Sequence, residues 1–165
     1  MELISEETKN KLNDLLTHSF LLNMICDNAV YQIDYDVYSK AAGVTHEKYA
    51  HYWPVAADMI SEKMIQLNSK PVRGNLTVEY KDYGGDLAAI YKDIAEATDA
   101  YRKDIIDTIE IADLNEDIEV RIFCENFLEA ITPYRKQADV WATEAERYKD
   151  NYRSFDARFE TFTFI

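Results

Sequence analysis

The chain has 165 residues, 47% of them hydrophobic and 30% charged, which is enough for one folded domain with a buried core. Its formal net charge of −13 argues against a protein that binds the nucleic-acid phosphate backbone through clustered Lys and Arg. With only four Gly and three Pro, the chain has little material for loops, and this favours helices.

The two cysteines and the apolar segments indicate the cellular compartment. Cys26 and Cys124 lie inside helical patterns and about a hundred residues apart, which is typical of core thiols in an intracellular protein. No apolar run follows a basic start, and no apolar stretch reaches about 18 residues. We therefore expect a cytoplasmic protein without a signal peptide or a membrane span.

The first helix is predicted to begin after Ser5 and to run to about Gln32. The Ser5 hydroxyl can accept a hydrogen bond from the first turn, where Glu6 and Glu7 also complement the helix dipole. An apolar stripe then follows at helical spacing, through Leu12, Leu15, Leu16, Ser19, Leu22, Cys26, Ala29, Val30 and Ile33.

The second helix is predicted over Thr45 to Leu67, with Gly43 ending the preceding connection and Thr45 as the N-terminal cap. Pro54 lacks a backbone N–H and bends such a helix. Two arrangements are open: one bent helix, which we favour, or a helix that begins near Pro54 after a separate short helix. The core-facing side is formed by Tyr49, Trp53, Ala56, Ile60, Met64 and Leu67.

A second stripe on this helix carries side chains that can bind a metal ion. These acidic and imidazole residues recur at helical spacing and are Glu47, His51, Asp58 and Glu62. The stripe begins two residues before the apolar one, and two residues are about 200° of helical rotation, so it lies almost opposite the core. Such a face can bind a metal ion, or it can simply face water, which is the more common situation.

The stretch from Asn68 to Gly85 contains one Pro and three of the four Gly and is predicted to be a long connection. In a four-helix bundle, a connection of this length crosses the bundle and joins two parallel helices. Within it, Leu76 to Tyr80 is predicted to form either a short strand or a short helix.

Two further long helices complete the pattern. Asp86 is predicted to cap the third, and the acidic turn Asp113 to Asp117 is predicted to provide the cap of the fourth. Pro133 lies inside the fourth helix and is predicted to kink it. Four amphipathic segments with short, long and short connections predict an all-α, ferritin-like four-helix bundle with a long crossover between helices two and three.

Residues 151–165 differ from the bundle, which is predicted over residues 1–150. Four phenylalanines crowd this C-terminal tail, and Phe162-Thr163-Phe164 alternates like a strand. Exposed aromatic side chains at a terminus are unfavourable, so we expect the tail to dock. The sequence leaves open whether it docks on its own bundle, on a neighbouring subunit or on another protein.

Two short segments resemble Dps-type mini-ferritins. Asp58 to Gly74 is similar to the second helix and following Lys-Pro loop of that family, and Ala138 to Trp141 is similar to its Trp-bearing fourth helix. In helix lengths and in the crossover the resemblance covers about residues 5–148, and the tail has no counterpart. The resemblance implies a homo-oligomer in which two subunits share a diiron site about a dyad.

The resemblance also implies which residues bind the metal. Asp58 and Glu62 match the family's Asp-x-x-x-Glu element, and Glu47 falls on an additional acidic ligand eleven residues before the Asp. These three carboxylates are therefore the expected iron ligands, with His51 beside them on the same face.

The histidines of the family do not match this chain. Their ungapped positions hold Tyr31 and Gly43, so His46 or His51 can replace them only if the loop is shifted. The Glu-x-x-His pattern of classical ferritins does not occur anywhere in the chain either. The ferroxidase motif is therefore incomplete.

Two functions follow as hypotheses. The first is a Dps-like or ferritin-like oligomer that binds and oxidises iron at the acidic site on helix two. The alternative is a catalytically inactive ferritin-like assembly subunit that binds a protein partner through its C-terminal tail. Direct DNA binding is not expected, because acidic residues rather than a Lys-rich arm occupy the N-terminus.

Overall fold

The computed structural model describes all 165 residues, and no residue lies in a β-strand. The elements in chain order are α1 (Glu6–Tyr35), α2 (Ser39–Val44), a π turn (Thr45–Ala50), α3 (Tyr52–Gln66), α4 (Leu87–Leu114), α5 (Ile118–Arg147), α6 (Tyr152–Ala157) and a 3-10 turn (Phe159–Phe162). The four long helices are α1, α3, α4 and α5, so the prediction of an all-α bundle is confirmed. None of the helices is both long and apolar enough to cross a membrane.

Hydrogen bonds at the start of α1 tie together two helix ends. The Ser5 hydroxyl accepts from the backbone N–H of Thr8 at 3.2 Å, as predicted for a cap. Asp117 precedes α5 but does not cap it. Its carboxylate instead accepts from the Ser5 hydroxyl at 2.8 Å and from the Ser5 N–H at 3.3 Å. Asp117 was expected to cap the fourth long helix, but it stabilises the start of the first helix instead.

The connection between α3 and α4 runs along the length of α1. Its first part hydrogen-bonds to Asn13 and Thr17, and near its end Gln32 binds the backbone of Lys81 and Tyr83. Asn13 and Gln32 are separated by about 28 Å of helix. The connection therefore crosses the whole bundle, so α3 and α4 run in the same direction, as the crossover topology requires.

The short element expected at Leu76 to Tyr80 is not present. This part of the connection is extended over the surface of α1, with no neighbouring strand to pair with, and a lone strand has no ladder to stabilise it. The prediction that Asp86 caps the next helix is correct, because its carboxylate accepts from the N–H of Ala89 at 3.0 Å.

The second long helix begins earlier than predicted. The helices α2 and α3 and the π turn between them follow one another almost without interruption, so the arrangement is one bent helix that starts at Ser39. Gly43 lies inside it rather than before it, and Thr45 does not cap it. Thr45 is fully buried, and its hydroxyl hydrogen-bonds to the Tyr91 hydroxyl of α4 at 2.9 Å. The Thr45 side chain therefore stabilises a contact between two helices and does not cap a helix end.

The interior of the bundle is aromatic, and most of its buried polar side chains carry hydroxyl groups. Each buried tyrosine pairs with a Ser or Thr hydroxyl of another element: Tyr49 with Thr98, Tyr91 with Thr45, and Tyr101 with Ser19. Burial raises the pKa of all three phenols, so they remain neutral. The buried residues include no Asp, Glu, His, Lys or Arg.

Residues 151–165 fold back onto the same chain. Phe155 and Phe159 are fully buried. The Phe159 ring stacks on Trp141 of α5 with 5.0 Å between centroids, and Phe155 packs against Tyr91 at 5.5 Å. The two phenylalanines thus extend the aromatic core of the bundle.

An amide side chain of α5 binds the backbone near the end of the tail. Gln137 of α5 is buried, donates to the Phe162 carbonyl at 2.7 Å and accepts from the Phe164 N–H at 2.6 Å. The strand suggested by the alternation of Phe162, Thr163 and Phe164 does not form. The Gln137 side chain, rather than a neighbouring strand, satisfies these backbone groups.

A partly buried ion pair joins α1 to α4. Asp104 accepts hydrogen bonds from Lys11 at 2.6 Å and from His18 Nδ1 at 2.8 Å. Burial alone raises the pKa of Asp104, but the hydrogen bonds from His18 and Lys11 outweigh it and lower this pKa below its usual value.

We expect Phe159→Ala to lower the free energy of unfolding by about 3–5 kcal/mol, because a fully buried ring is removed and a cavity remains. Phe164→Ala is the matched control in the same segment, because that side chain is 70% exposed and its loss should cost less than about 0.5 kcal/mol. Chemical denaturation of both variants measures the difference. Equal effects would contradict the docking of the tail.

We expect Asp104→Asn to lower stability at pH 7 by about 1–3 kcal/mol, because hydrogen bonds to a charged group are lost. The folded pKa lies below the unfolded value of about 3.9, so the carboxylate stabilises the protein above that pH and stops doing so as the pH falls through the folded pKa. The difference between variant and wild type should therefore shrink in acid. Asp107→Asn, which breaks only an exposed pair with Lys103, should stay within about 0.5 kcal/mol at every pH.

Candidate metal site

The four residues predicted as metal ligands are all exposed on the outer face of the second long helix: Glu47, His51, Asp58 and Glu62. Along the helix axis, Asp58 and Glu62 lie about 10 Å and 16 Å from His51. No group of three or more His, Cys, Asp or Glu side chains in this chain is arranged to hold a metal ion. A single chain therefore does not bring the predicted ligands together.

The π turn before α3 is stabilised by a side chain of α1. Pro54 has no N–H to donate to the carbonyl of Ala50, four residues earlier, and the Asn23 amide donates to that carbonyl instead at 2.9 Å. Within the turn, the His51 N–H donates to the His46 carbonyl at 3.2 Å, which is the i to i+5 bond of a π-helix. Single π turns inside α-helices are frequent at functional sites.

This wide turn changes which side chains share a face. In a regular α-helix, two residues five positions apart point about 140° away from each other. Here the rings of His46 and His51 lie 4.2 Å apart, centroid to centroid. His46, rather than Glu47, therefore lies over His51, although α-helical periodicity assigned that position to Glu47.

A third residue, Asp27 of α1, faces this pair of imidazoles. Its Oδ1 atom is 3.7 Å from Nδ1 of His46, which is too long for a hydrogen bond. Both atoms are buried and have no hydrogen-bond partner. Two ligand atoms that bind one ion at about 2.1 Å each lie about 3.0–3.7 Å apart, so this spacing suits two ligands of one metal ion.

The surroundings of Asp27 act on its carboxylate in opposite directions. Partial burial raises the pKa of Asp27, and the nearby imidazoles of His46 and His51 lower it. A half-buried carboxylate without a hydrogen bond is unfavourable, and a cation bound beside it would compensate. Asp27 is not among the metal ligands predicted from the sequence. The available signal was its place on α1, one helical turn before Tyr31, where the resemblance to Dps-type mini-ferritins would imply a histidine.

The C-terminal tail fixes the connection that leads into this site. Arg153 of α6 donates to the carbonyl of Val37 at 2.8 Å, and Asp156 accepts from the N–H of Ala41 at 2.8 Å. Val37 has a φ of 65°, which is uncommon for a β-branched residue. The tail therefore holds the connection at the end of α1, where Val37 is in an uncommon conformation, and the first turn of α2.

A search against protein-family models finds no match, and a search of curated proteins finds none either. Solved structures are similar in fold. A PmFTN variant soaked in iron overnight superposes with a TM-score of 0.82 over 92% of this chain and 99% of its own, at 14% identity. A second PmFTN variant soaked in iron overnight gives a TM-score of 0.78 over 93% and 98%, at 15% identity.

These neighbours are ferritins. At such low sequence identity the likeness concerns the arrangement of the helices and not the metal ligands. The crossover along α1, the four long helices and the superposition over nearly the whole length of both chains agree with one another. The chain therefore has the ferritin-like four-helix bundle fold.

Proposed function

We propose that the protein is an oligomeric, Dps-like iron-binding protein that takes up ferrous iron at sites shared by two subunits and oxidises it there. The observation that carries this proposal is the unpartnered pair of Asp27 and His46 on the outer face, next to His51. The interior of the bundle offers no carboxylate or imidazole at all. Iron chemistry in this chain would therefore take place at the surface.

Each subunit carries two incomplete sets of ligands on one face. The first set is Asp27, His46 and His51, and the second is Asp58 and Glu62, about 10–16 Å further along the helix. A two-fold axis across this face would place the second set of one subunit over the first set of the other, because an isologous contact is reciprocal. Two equivalent sites would result for each dimer.

Exposed apolar residues support an interface on this face. Val55 and Ile65 are 52% and 61% exposed and lie on the same side of α3 as Asp58 and Glu62, at spacings of three, four and three residues. No other element of the chain covers them. An apolar surface of this kind is commonly buried between identical subunits.

The chemistry of the donors suits ferrous iron. Carboxylates and imidazoles bind Fe(II), and sites with open positions permit reaction with an oxidant. Two ferrous ions each lose one electron, and these electrons with two protons reduce one dioxygen molecule to hydrogen peroxide. A net charge of −13 raises the local concentration of cations, which favours iron entry.

The alternative of an inactive subunit that binds a partner through its tail has less support. The tail residues with the largest apolar surface, Phe155 and Phe159, are buried in the bundle of the same chain. They are therefore occupied in the folded protein and are not free to bind a partner.

We expect Asp58→Ala/Glu62→Ala and Asp27→Asn/His46→Ala each to lose fast aerobic oxidation of Fe(II), followed by the ferric absorbance. If the sites are shared, an equal mixture of the two variants, refolded together, should recover activity that neither has alone. With random pairing, half of the dimers are heterodimers, and each heterodimer has one intact site of two. The mixture should therefore contain about a quarter of the wild-type number of intact sites. No recovery would contradict a shared site, provided that each variant still assembles.

The matched control is Glu125→Ala/Glu129→Ala, another exposed acidic pair four residues apart, on α5. It removes the same amount of charge as the α3 variant, so it separates a loss of ligands from a loss of general electrostatic attraction. Binding without turnover is measured with Fe(II) under anaerobic conditions. Oxidation at the protein-free rate despite saturable binding would contradict the ferroxidase part of the proposal alone.

We expect Val55→Glu/Ile65→Glu to dissociate the oligomer. Each subunit of the dimer would place two negative charges in an apolar contact, which is unfavourable. Light scattering gives the mass of the particle in solution. The control is Ile118→Glu/Ile122→Glu, which changes two exposed isoleucines on α5, away from the proposed interface. A wild-type mass equal to that of one chain would contradict the proposed oligomer.

A further inference from the structure

A groove of about 520 Å³ lies between the C-terminal half of α1 and the end of the crossover. Its walls carry three exposed tyrosines, Tyr31 and Tyr35 from α1 and Tyr80 from the crossover. Two carboxylates, those of Asp36 and Asp82, also line it. The volume is within the range of about 300–1,000 Å³ that is typical of small-molecule sites.

The groove has a fixed shape. Gln32 donates to the carbonyl of Lys81 at 2.6 Å and accepts from the N–H of Tyr83 at 2.9 Å, so one amide fastens the crossover to α1. Gly84 and Gly85 line the groove in left-handed conformations, with φ of 58° and 85°. Any other residue at either position would strain the backbone, and because glycine has no side chain the groove stays open.

The groove is negatively charged and contains no cation of its own. Neither of its two carboxylates forms a salt bridge, and no Lys or Arg lines it. The nearest cations are engaged elsewhere: Lys81 with Asp93 at 2.9 Å, and Arg153 with the carbonyl of Val37 at 2.8 Å. The C-terminal end of α1 adds the negative end of its dipole, and its last turn has no basic residue.

We propose that this groove binds a small organic cation, an alkylammonium or quaternary ammonium ion. Aromatic faces attract such a cation through their quadrupoles, and the binding of quaternary ammonium groups between several rings is the established use of this interaction. The carboxylates of Asp36 and Asp82 supply the opposite charge. The proposal is independent of the iron site, because none of the proposed iron ligands lines the groove.

The test is a calorimetric titration of the assembled protein with choline. We expect saturable binding with a dissociation constant in the millimolar range or tighter, and no binding of the neutral analogue in which a tert-butyl group replaces the trimethylammonium group. No saturable binding of choline, or equal binding of the neutral analogue, would overturn the proposal.

Variants test which groups carry the binding. Tyr35→Leu should weaken choline binding roughly fivefold, whereas Tyr35→Phe, which keeps the ring, should retain it. Asp36→Asn should weaken binding, and Leu114→Ala, an exposed residue outside the groove, should leave it unchanged. Circular dichroism verifies that every variant is folded. Equal affinity in Tyr35→Leu and Tyr35→Phe would contradict a cation held by the ring face.

Discussion

The hydrogen bond from the Asn23 amide to the Ala50 carbonyl supports the feature on which the candidate site depends. Pro54 cannot donate to that carbonyl, and a buried acceptor without a donor would cost about 1–3 kcal/mol. Asn23 supplies the donor from α1, and the chain before the proline widens into a π turn. Without this turn, His46 and His51 would point in different directions, and the Asp27 carboxylate would not face a pair of imidazoles.

The composition of the core explains why the chemistry is proposed for the outer face. Aromatic rings occupy the centre of the bundle, the hydroxyl groups of the buried tyrosines are paired with Ser and Thr, and no Asp, Glu or His side chain is buried there. Phe155 and Phe159 complete this packing from the tail. The same tail fixes the entry to α2 through Arg153 and Asp156. The tail thus contributes both to the core and to the connection between α1 and α2.

The sequence was sufficient for the fold and insufficient for the site. Apolar stripes at helical spacing predicted four long helices, and the caps at Ser5 and Asp86 are where the sequence places them. The π turn could not be predicted, because one inserted residue per turn leaves no mark on local composition. Thr45 resembled a helix cap, but a tertiary hydrogen bond to Tyr91 determined its role. The sequence around Asp27 gave only its place one turn before Tyr31, because the significance of Asp27 depends on a neighbouring helix.

The positions of Asp27 and His46 can be compared with the histidine positions that the resemblance to Dps-type mini-ferritins would imply. That resemblance would place the histidines at Tyr31 and Gly43. In this chain, Asp27 lies about one turn before Tyr31 on α1, and His46 lies about one turn after Gly43 on the second long helix. These helices are antiparallel, since the Leu3 N–H near the start of α1 bonds to the Leu67 carbonyl after the end of α3. Both displacements therefore go the same way along the bundle, by about 4–6 Å. Because both positions are displaced in the same direction, the distance between Asp27 and His46 is similar to the distance between the two implied histidine positions. A shared site would then require only a matching shift of the partner along the same face.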